Sequence, residues 1–169
     1  VTPAVGNEYT LSTCQLDFCL PAKFDLKYVD KDGEKKTPVV LHRAILGSLD
    51  RFMAYILEET KGALPTWLAP TQVKVIPVNP ELHSEYGEEI TKLLEANNIR
   101  VELDDRNEKL GYRLREAQTE KIPYTLILGD QEKENSTISY RLFGQKDTTT
   151  VSKEEFVNLI KKEIDTKAL

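Results

Sequence analysis

The apolar positions of this chain change period several times, and each change marks a new element. Residues Tyr9 to Phe18 and Phe24 to Val29 read as strands. Asp32-Gly33 is a two-residue hairpin signal, after which Thr37 to Ile45 returns as a third strand. Leu49, Phe52, Met53, Ile56 and Leu57 then fall at i, i+3, i+4, i+7 and i+8, one apolar helical stripe. Ser48 is a good N-cap for it, so the spacing predicts a helix from Ser48 to about Glu59.

The stretch Lys61 to Pro70 interrupts the periodicity with one Gly and two Pro, and it reads as a linker between residues 1–60 and 71–169. Trp67 within it reads as a packing residue. Strands and helices then alternate. Gln72 to Val78 is a short apolar strand, and Asn79 caps a helix that opens on Pro80 and buries Leu82, Tyr86, Ile90, Leu93 and Leu94. Ile99, Val101 and Leu103 alternate with polar residues as a second strand. Glu108 to Glu120 reads as a helix and Ile122 to Leu128 as a central buried strand. A polar turn at Glu132 to Ser136 leads to a further strand, Thr137 to Phe143. Ser152 and Glu155 form a capping box, with Val151 and Phe156 as its staple, for a last helix that turns Phe156, Val157, Ile160 and Ile164 to the sheet. The order βαβαββα predicts a three-layer α/β domain with a mixed sheet.

Composition narrows the class. The 169 residues suffice for one domain, or one domain with part of another, and a hydrophobic content of 40% supports a buried core. No apolar run approaches the length of a membrane span. Val1 to Glu8 has neither a basic n-region nor an apolar h-region, so no signal peptide is expected. The lack of an initiator methionine suggests a chain taken from something longer. A formal charge of −5 and a pI near 5.2 argue against a non-specific nucleic-acid binder and leave room for a local basic site. Cys14 and Cys19 are five apart; on a shared strand they would face opposite sides and could not bond. Two cysteines without a framework suggest a reducing compartment, and a zinc site from this pair is not expected.

Two segments concentrate candidate chemistry. Arg51 lies off the apolar stripe in the first turn of its helix, where free backbone N–H groups and the helix dipole favour an anion such as phosphate. The same spacing fits a solvated surface arginine. Asp104 to Gln118 follows a strand and opens a helix, the position at which open α/β sheets bind ligands. Arg106, Lys109, Arg113, Arg115 and Lys121 stand against Glu108, Glu116 and Glu120, a local charge of +2 in an acidic chain. Charge pattern alone favours a salt-bridged solvated helix face over an RNA contact.

Longer blocks carry a resemblance. Leu41-His-Arg-Ala-Ile-Leu-Gly-Ser-Leu-Asp-Arg-Phe52 resembles motif 3 of the class II aminoacyl-tRNA synthetases in its threonyl form. Arg106 to Gln118, Lys121-Ile-Pro-Tyr124 and Gly129-Asp-Gln-Glu132 look like the C-terminal anticodon-binding domain of the same family, and Trp67 to Val73 is similar to the junction before it. The blocks run in family order from Thr13 to the last helix. The resemblance implies a mixed five-stranded anticodon-binding domain at 71–169. Before it would stand the end of a class II antiparallel catalytic sheet with the motif 3 helix, at 1–60.

Roles follow residue by residue as the resemblance implies them. Thr13 and Gln15 match ATP-pocket positions, Ser48 a residue at the threonine site, and Arg51 the arginine on the ATP γ-phosphate. His42 matches one of three zinc ligands; the family's other two lie upstream and are absent from this chain, so no zinc is expected to be retained. Asn107, Glu132 and Arg141 match anticodon-reading positions, and Arg115 and Lys121 match basic positions near the RNA backbone. Edges of single-stranded bases are read by amide, carboxylate and guanidinium groups, which suits those residue types. Thr10 and Cys14 depart from the residues common in the family, which puts pocket detail in doubt.

The expectation is a cytoplasmic, homodimeric parent enzyme that joins threonine to its tRNA with ATP, Mg and zinc. This chain would recognise the anticodon and be inactive alone, with residues 1–60 mobile or self-associating for want of sheet partners. The alternatives are a non-enzymatic anticodon-binding paralogue and a related class II synthetase, such as one for proline or histidine. The placement of His42 in His-Arg-Ala favours threonine.

Overall fold

The computed structural model describes Glu8 and residues 10–168. The N-terminal residues 1–7 and Tyr9, the expected start of the first strand, lie outside the described residues. The chain divides into two compact units, Val1–Gly62 and Ala63–Leu169.

In the first unit, β1 (Thr13–Asp17) leads into α1 (Cys19–Lys23), β2 (Tyr28–Val29), β3 (Lys35–Lys36), β4 (Val40–Ala44) and α2 (Leu49–Glu59). β1 pairs antiparallel with β4, Gln15 opposite His42, and β2 with β3. The Asp32-Gly33 hairpin forms, closed by the Gly33 N–H on the Asp30 carbonyl at 2.8 Å. Sequence reading missed α1. The Asp17 carboxylate accepts from the N–H groups of Cys19 and Leu20 at 2.8 and 3.0 Å, and Pro21 sits in the first turn, where its missing donor costs nothing. The strand expected from Phe24 is therefore cut to two residues. Cys14 lies on β1 and Cys19 opens α1, so they do not share a strand; both are exposed free thiols. Ser48 caps α2 as expected, its hydroxyl accepting from the Arg51 N–H at 3.4 Å. Gly47, at φ +72°, lets the chain turn into α2, and a Cβ there would lie 3.2 Å from the Leu11 carbonyl oxygen.

This unit has almost no core among the described residues. Leu11 is its one buried hydrophobic, while Phe24, Ile45 and Leu49 are 70% or more exposed.

The second unit runs β5 (Val73–Pro77), α3 (Pro80–Ala96), β6 (Val101–Leu103), α4 (Leu110–Thr119), β7 (Tyr124–Leu128), α5 (Asp130–Asn135), β8 (Thr137–Leu142), β9 (Thr149–Ser152) and α6 (Lys153–Thr166). Five strands lie in the order β6-β5-β7-β8-β9. β5 runs parallel to β6 and β7; β8 runs antiparallel to β7 and β9. This is the mixed five-stranded α/β sheet that the resemblance implies. Two elements escaped the pattern. The β-branched run at 149–151 is β9, which gives the fifth strand absent from the βαβαββα order. The polar turn at 132–136 is the helix α5, started by the Glu132 carboxylate on the Gly129 N–H and ended by Ser136 in the left-handed region at φ +54°.

Val73, Val75, Leu126 and Leu128 share one face of the sheet and pack with Tyr86, Ile90 and Leu94 of α3 and Phe156 and Ile160 of α6. Rings of Tyr124, Tyr140 and Phe156 meet with centroids 5.3 to 5.7 Å apart. Gly87 lets α3 approach, since a Cβ there would stand 3.0 Å from Pro77 Cγ and 3.1 Å from a Leu103 methyl. Leu82, expected in the buried stripe, is 58% exposed; His83 is buried in its place, held by the Asn79 N–H and Asp130. Residues 63–70, read as a linker, pack within this unit. The Arg100 guanidinium donates to the carbonyls of Trp67 and Ala69, and the Gln72 amide donates to the Thr66 carbonyl.

The β6–α4 loop is fixed by two arginines with opposite habits. Arg113 has no solvent exposure and spends its guanidinium on three carbonyls, those of Asp104 at 2.8 Å, Glu108 at 3.2 Å and Val78 at 3.3 Å. Arg106 grips the buried Asp104 carboxylate through two bonds of 2.8 Å and continues to Glu116. The Arg106 hydrogen bonds hold the Asp104 carboxyl below the usual carboxylate range, outweighing the upward push of burial.

Two outcomes follow for stability. Phe156→Ala should destabilise the second unit by about 3–5 kcal/mol, read as a lower urea midpoint with protection lost at β5 and β7 amides. Asp104 is more acidic folded than its unfolded value of about 3.9, so its contribution is complete above that value and lost as pH falls through the lower folded one. Urea melts from pH 6 to 2 should show that acid loss, and Asp104→Asn should be less stable at pH 6 with a flatter acid limb.

Candidate nucleic-acid interface

Strand register places one polar row across the second sheet. Glu102, Lys74, Thr125 and Arg141 are successive cross-strand partners on β6, β5, β7 and β8. Alternation puts this row on the face opposite Val73, Tyr124 and Leu126. The buried Lys74 ammonium pairs with Glu120 at 2.6 Å and Glu102 at 3.4 Å. Glu120 caps the C-terminal end of α4, so α4 lies on this same face.

Arg141 and Ser139 project from this face two residues apart on β8. Arg141 is half-buried; one terminal nitrogen reaches the Thr148 hydroxyl at 3.4 Å, while its Nε and the neighbouring Thr125 hydroxyl have no protein partner. Glu132 is brought to the same face by α5. Its Oε1 accepts from the Ser139 hydroxyl at 2.6 Å and its Oε2 from the Gly129 N–H at 2.9 Å. Burial pushes the Glu132 carboxyl up, but these bonds outweigh it and hold the group below its usual range. It is a fixed, charged acceptor with lone pairs to spare.

The other three candidates sit along the α4 side. Asn107 is exposed in the loop that Arg113 and Arg106 fix, Arg115 is exposed on α4, and Lys121 is half-buried just beyond it at φ +57°. Structure changes the charge reading of this block. Arg113 is buried against main chain and Arg106 is spent on Asp104 and Glu116, so two of the five cations serve the fold. Arg106–Glu116 is a salt bridge of the kind a solvated helix face carries, whereas Lys109 and Arg115 remain exposed. Sequence reading missed Arg113, Ser139 and Thr150 as supports, because only the register shows what they touch.

In the first unit, Thr13, Gln15 and Asp17 alternate onto one face of β1, opposite Ala44, His42 and Val40 of β4. Thr13, Gln15 and His42 are thus side by side, as a shared pocket wall requires. His42 Nε2 lies 2.9 Å from an Asp17 carboxylate oxygen. The Leu20 N–H and then His42 hold Asp17 below its usual range. Ser48 and an exposed Arg51 stand at the N-terminus of α2. No three His, Cys, Asp or Glu side chains cluster as a metal site among the described residues. Zinc needs three or four protein ligands, so His42 with its neighbours here does not fit the ion.

Comparison with known proteins agrees with this division. Residues 72–163 match the family profile described as anticodon binding domain, and residues 1–60 match the class II tRNA synthetase core domain (G, H, P, S and T). A threonine–tRNA ligase of Oceanobacillus iheyensis is 50% identical over the whole chain, which covers 26% of that protein. One from Staphylococcus carnosus is 55% identical over 95% of the chain and 25% of its own length. The chain thus spans about a quarter of the length of these curated relatives. The crystal structure of the RNA binding domain of threonyl-tRNA synthetase from Cryptosporidium parvum superposes with a TM-score of 0.80 at 30% identity, over 95% of this chain and 40% of that one. The likeness to threonyl-tRNA synthetases read from the motifs is borne out along the whole chain. By the match over its larger unit, the chain belongs to the anticodon-binding-domain family, joined here to a segment that matches the class II tRNA synthetase core domain.

Proposed function

We propose that this chain is the C-terminal part of a cytoplasmic, homodimeric threonine–tRNA ligase, and that its second unit reads the threonine anticodon. The observation that carries this reading is the joint placement of Glu132 and Arg141 on one sheet face, the face on which α4 packs, with Asn107 exposed in the loop before α4. Glu132 supplies a charged acceptor that suits the N–H edge of guanine, and a phosphate would be repelled by it. Arg141 and Asn107 supply donors, and Asn107 an acceptor, for the edges of an unstacked base. Arg115 and Lys121 hold backbone phosphate. The implied bases are G and U at the second and third anticodon positions.

The first unit contributes to ATP-dependent threonine activation in the longer protein. Thr13 and Gln15 line the nucleotide pocket, Ser48 the amino-acid site, and Arg51 meets the γ-phosphate, as the helix N-terminus favours. These residues alone make an incomplete site, so the 169-residue chain binds RNA and forms no adenylate.

An anticodon stem-loop with G and U at those positions should bind more tightly than the same loop with the two bases exchanged, and the preference should persist at higher salt. Asn107→Ala and Arg141→Ala should each cost about 1–3 kcal/mol of that discrimination. Arg115→Ala should weaken both loops alike and lower the salt slope by about 1. Weak, salt-sensitive binding that ignores the bases would overturn the anticodon reading.

A further inference from the structure

Glu132 stands at the end of a hydroxyl chain whose direction is fixed by chemistry. The Ser139 hydroxyl lies 2.6 Å from Glu132 Oε1 and 2.7 Å from the Thr150 hydroxyl. An ionised carboxylate only accepts, so Ser139 must donate its single proton to Glu132. Ser139 can then only accept from Thr150, which makes Thr150 the donor. The order is Thr150 Oγ1–H to Ser139 Oγ, then Ser139 Oγ–H to Glu132 Oε1. The Gly129 N–H meets the other oxygen at 2.9 Å. The two donors approach from different elements, β8 and the turn before α5, so together they fix the carboxylate plane.

Capping α5 needs only the Gly129 bond. The link to β9 through Ser139 adds nothing to that cap, and Thr150 itself is exposed at the sheet margin. Ser139 is 5% exposed and would be an unmatched buried hydroxyl without its two neighbours. What this hydroxyl chain does is fix one carboxylate oxygen of a half-buried Glu132 that keeps lone pairs to spare.

We propose that Thr150, acting through Ser139, is a positioning residue that aims the Glu132 carboxylate at a guanine edge and so sets base discrimination from β9. This rests on the reading that Glu132 meets a base. A mis-aimed acceptor still repels phosphate and still carries its charge. Loss of the chain therefore reduces the preference between bases and leaves sequence-independent binding in place.

The test uses the full chain and two stem-loops that differ only in guanine against adenine at the second anticodon position, in four variants. Glu132→Gln should abolish the preference. Thr150→Val keeps shape and strand propensity but removes the donor, and should lower the preference about threefold to tenfold, the range for one lost hydrogen bond. Ser139→Ala should do the same, and Thr150→Ser should restore it. Carbon-detected titration of the Glu132 carboxyl should move upward in Thr150→Val and Ser139→Ala and stay in place in Thr150→Ser. If Glu132→Gln loses the preference while Thr150→Val and Ser139→Ala keep it, the chain has no aiming role and the anticodon reading stands. Equal weakening of both loops in Thr150→Val would make it a structural contact only and overturn the proposal. If Glu132→Gln itself keeps the preference, Glu132 does not read the base and the proposal falls with that reading.

Discussion

A guanidinium shut off from water governs how the second unit is built. Arginine keeps its charge at any accessible pH, and burial is costly unless its donors find acceptors. Arg113 finds them in the carbonyls of Val78, Asp104 and Glu108, at the ends of β5 and β6 and in the following loop. The acceptors are main chain, so they exist only when those strand ends stand in their native places. Charge and topology are thereby tied. The loop bearing Asn107 cannot drift without leaving a buried cation unmatched, and Arg106 bound to Asp104 and Glu116 closes it from outside. The loop is held in place by contacts that the fold itself needs.

The two units differ in how far each satisfies itself. The second closes a core on one sheet face with α3 and α6, and keeps its other face for polar work with α4 and α5. The first pairs two strands and leaves Leu16, Leu41 and most of the α2 stripe open to solvent. An open apolar surface of this kind is what contact with a further element would cover, and it lies within the residues that match the class II core.

Much of this was legible in the sequence where one signal dominated. The Ser152–Glu155 capping box, the Asn79-Pro80 start and the long apolar run of β7 each state their element locally. Reading failed where a local signal was overruled by a neighbour. Phe24 to Val29 looks extended, but Asp17 caps a helix ahead of it. Glu132 to Ser136 looks like a turn, but a carboxylate three residues after Gly129 makes it helical. His83 outcompetes Leu82 for the interior because its ring has partners at both nitrogens. For the candidate site, Glu132 and Arg141 came from the family resemblance alone, whereas supports such as Ser139 and Thr150 become visible only once β8 and β9 are in register. Arg113 reads in sequence as one more cation; its burial is a tertiary fact.

The alternation along β8 separates two kinds of evolutionary freedom. Ile138, Tyr140 and Leu142 pack against the core, while Ser139 and Arg141 point to the polar face. Every second position is held by the apolar core, and the positions between are held by polar contacts to Glu132, Thr150 and Thr148. Substitutions at 139 and 141 would alter the polar face without opening the apolar core, while those at 138, 140 and 142 would do the reverse. A single inserted or deleted residue would exchange the two sets at once, so the polar face is open to change by point substitution and closed to change in length.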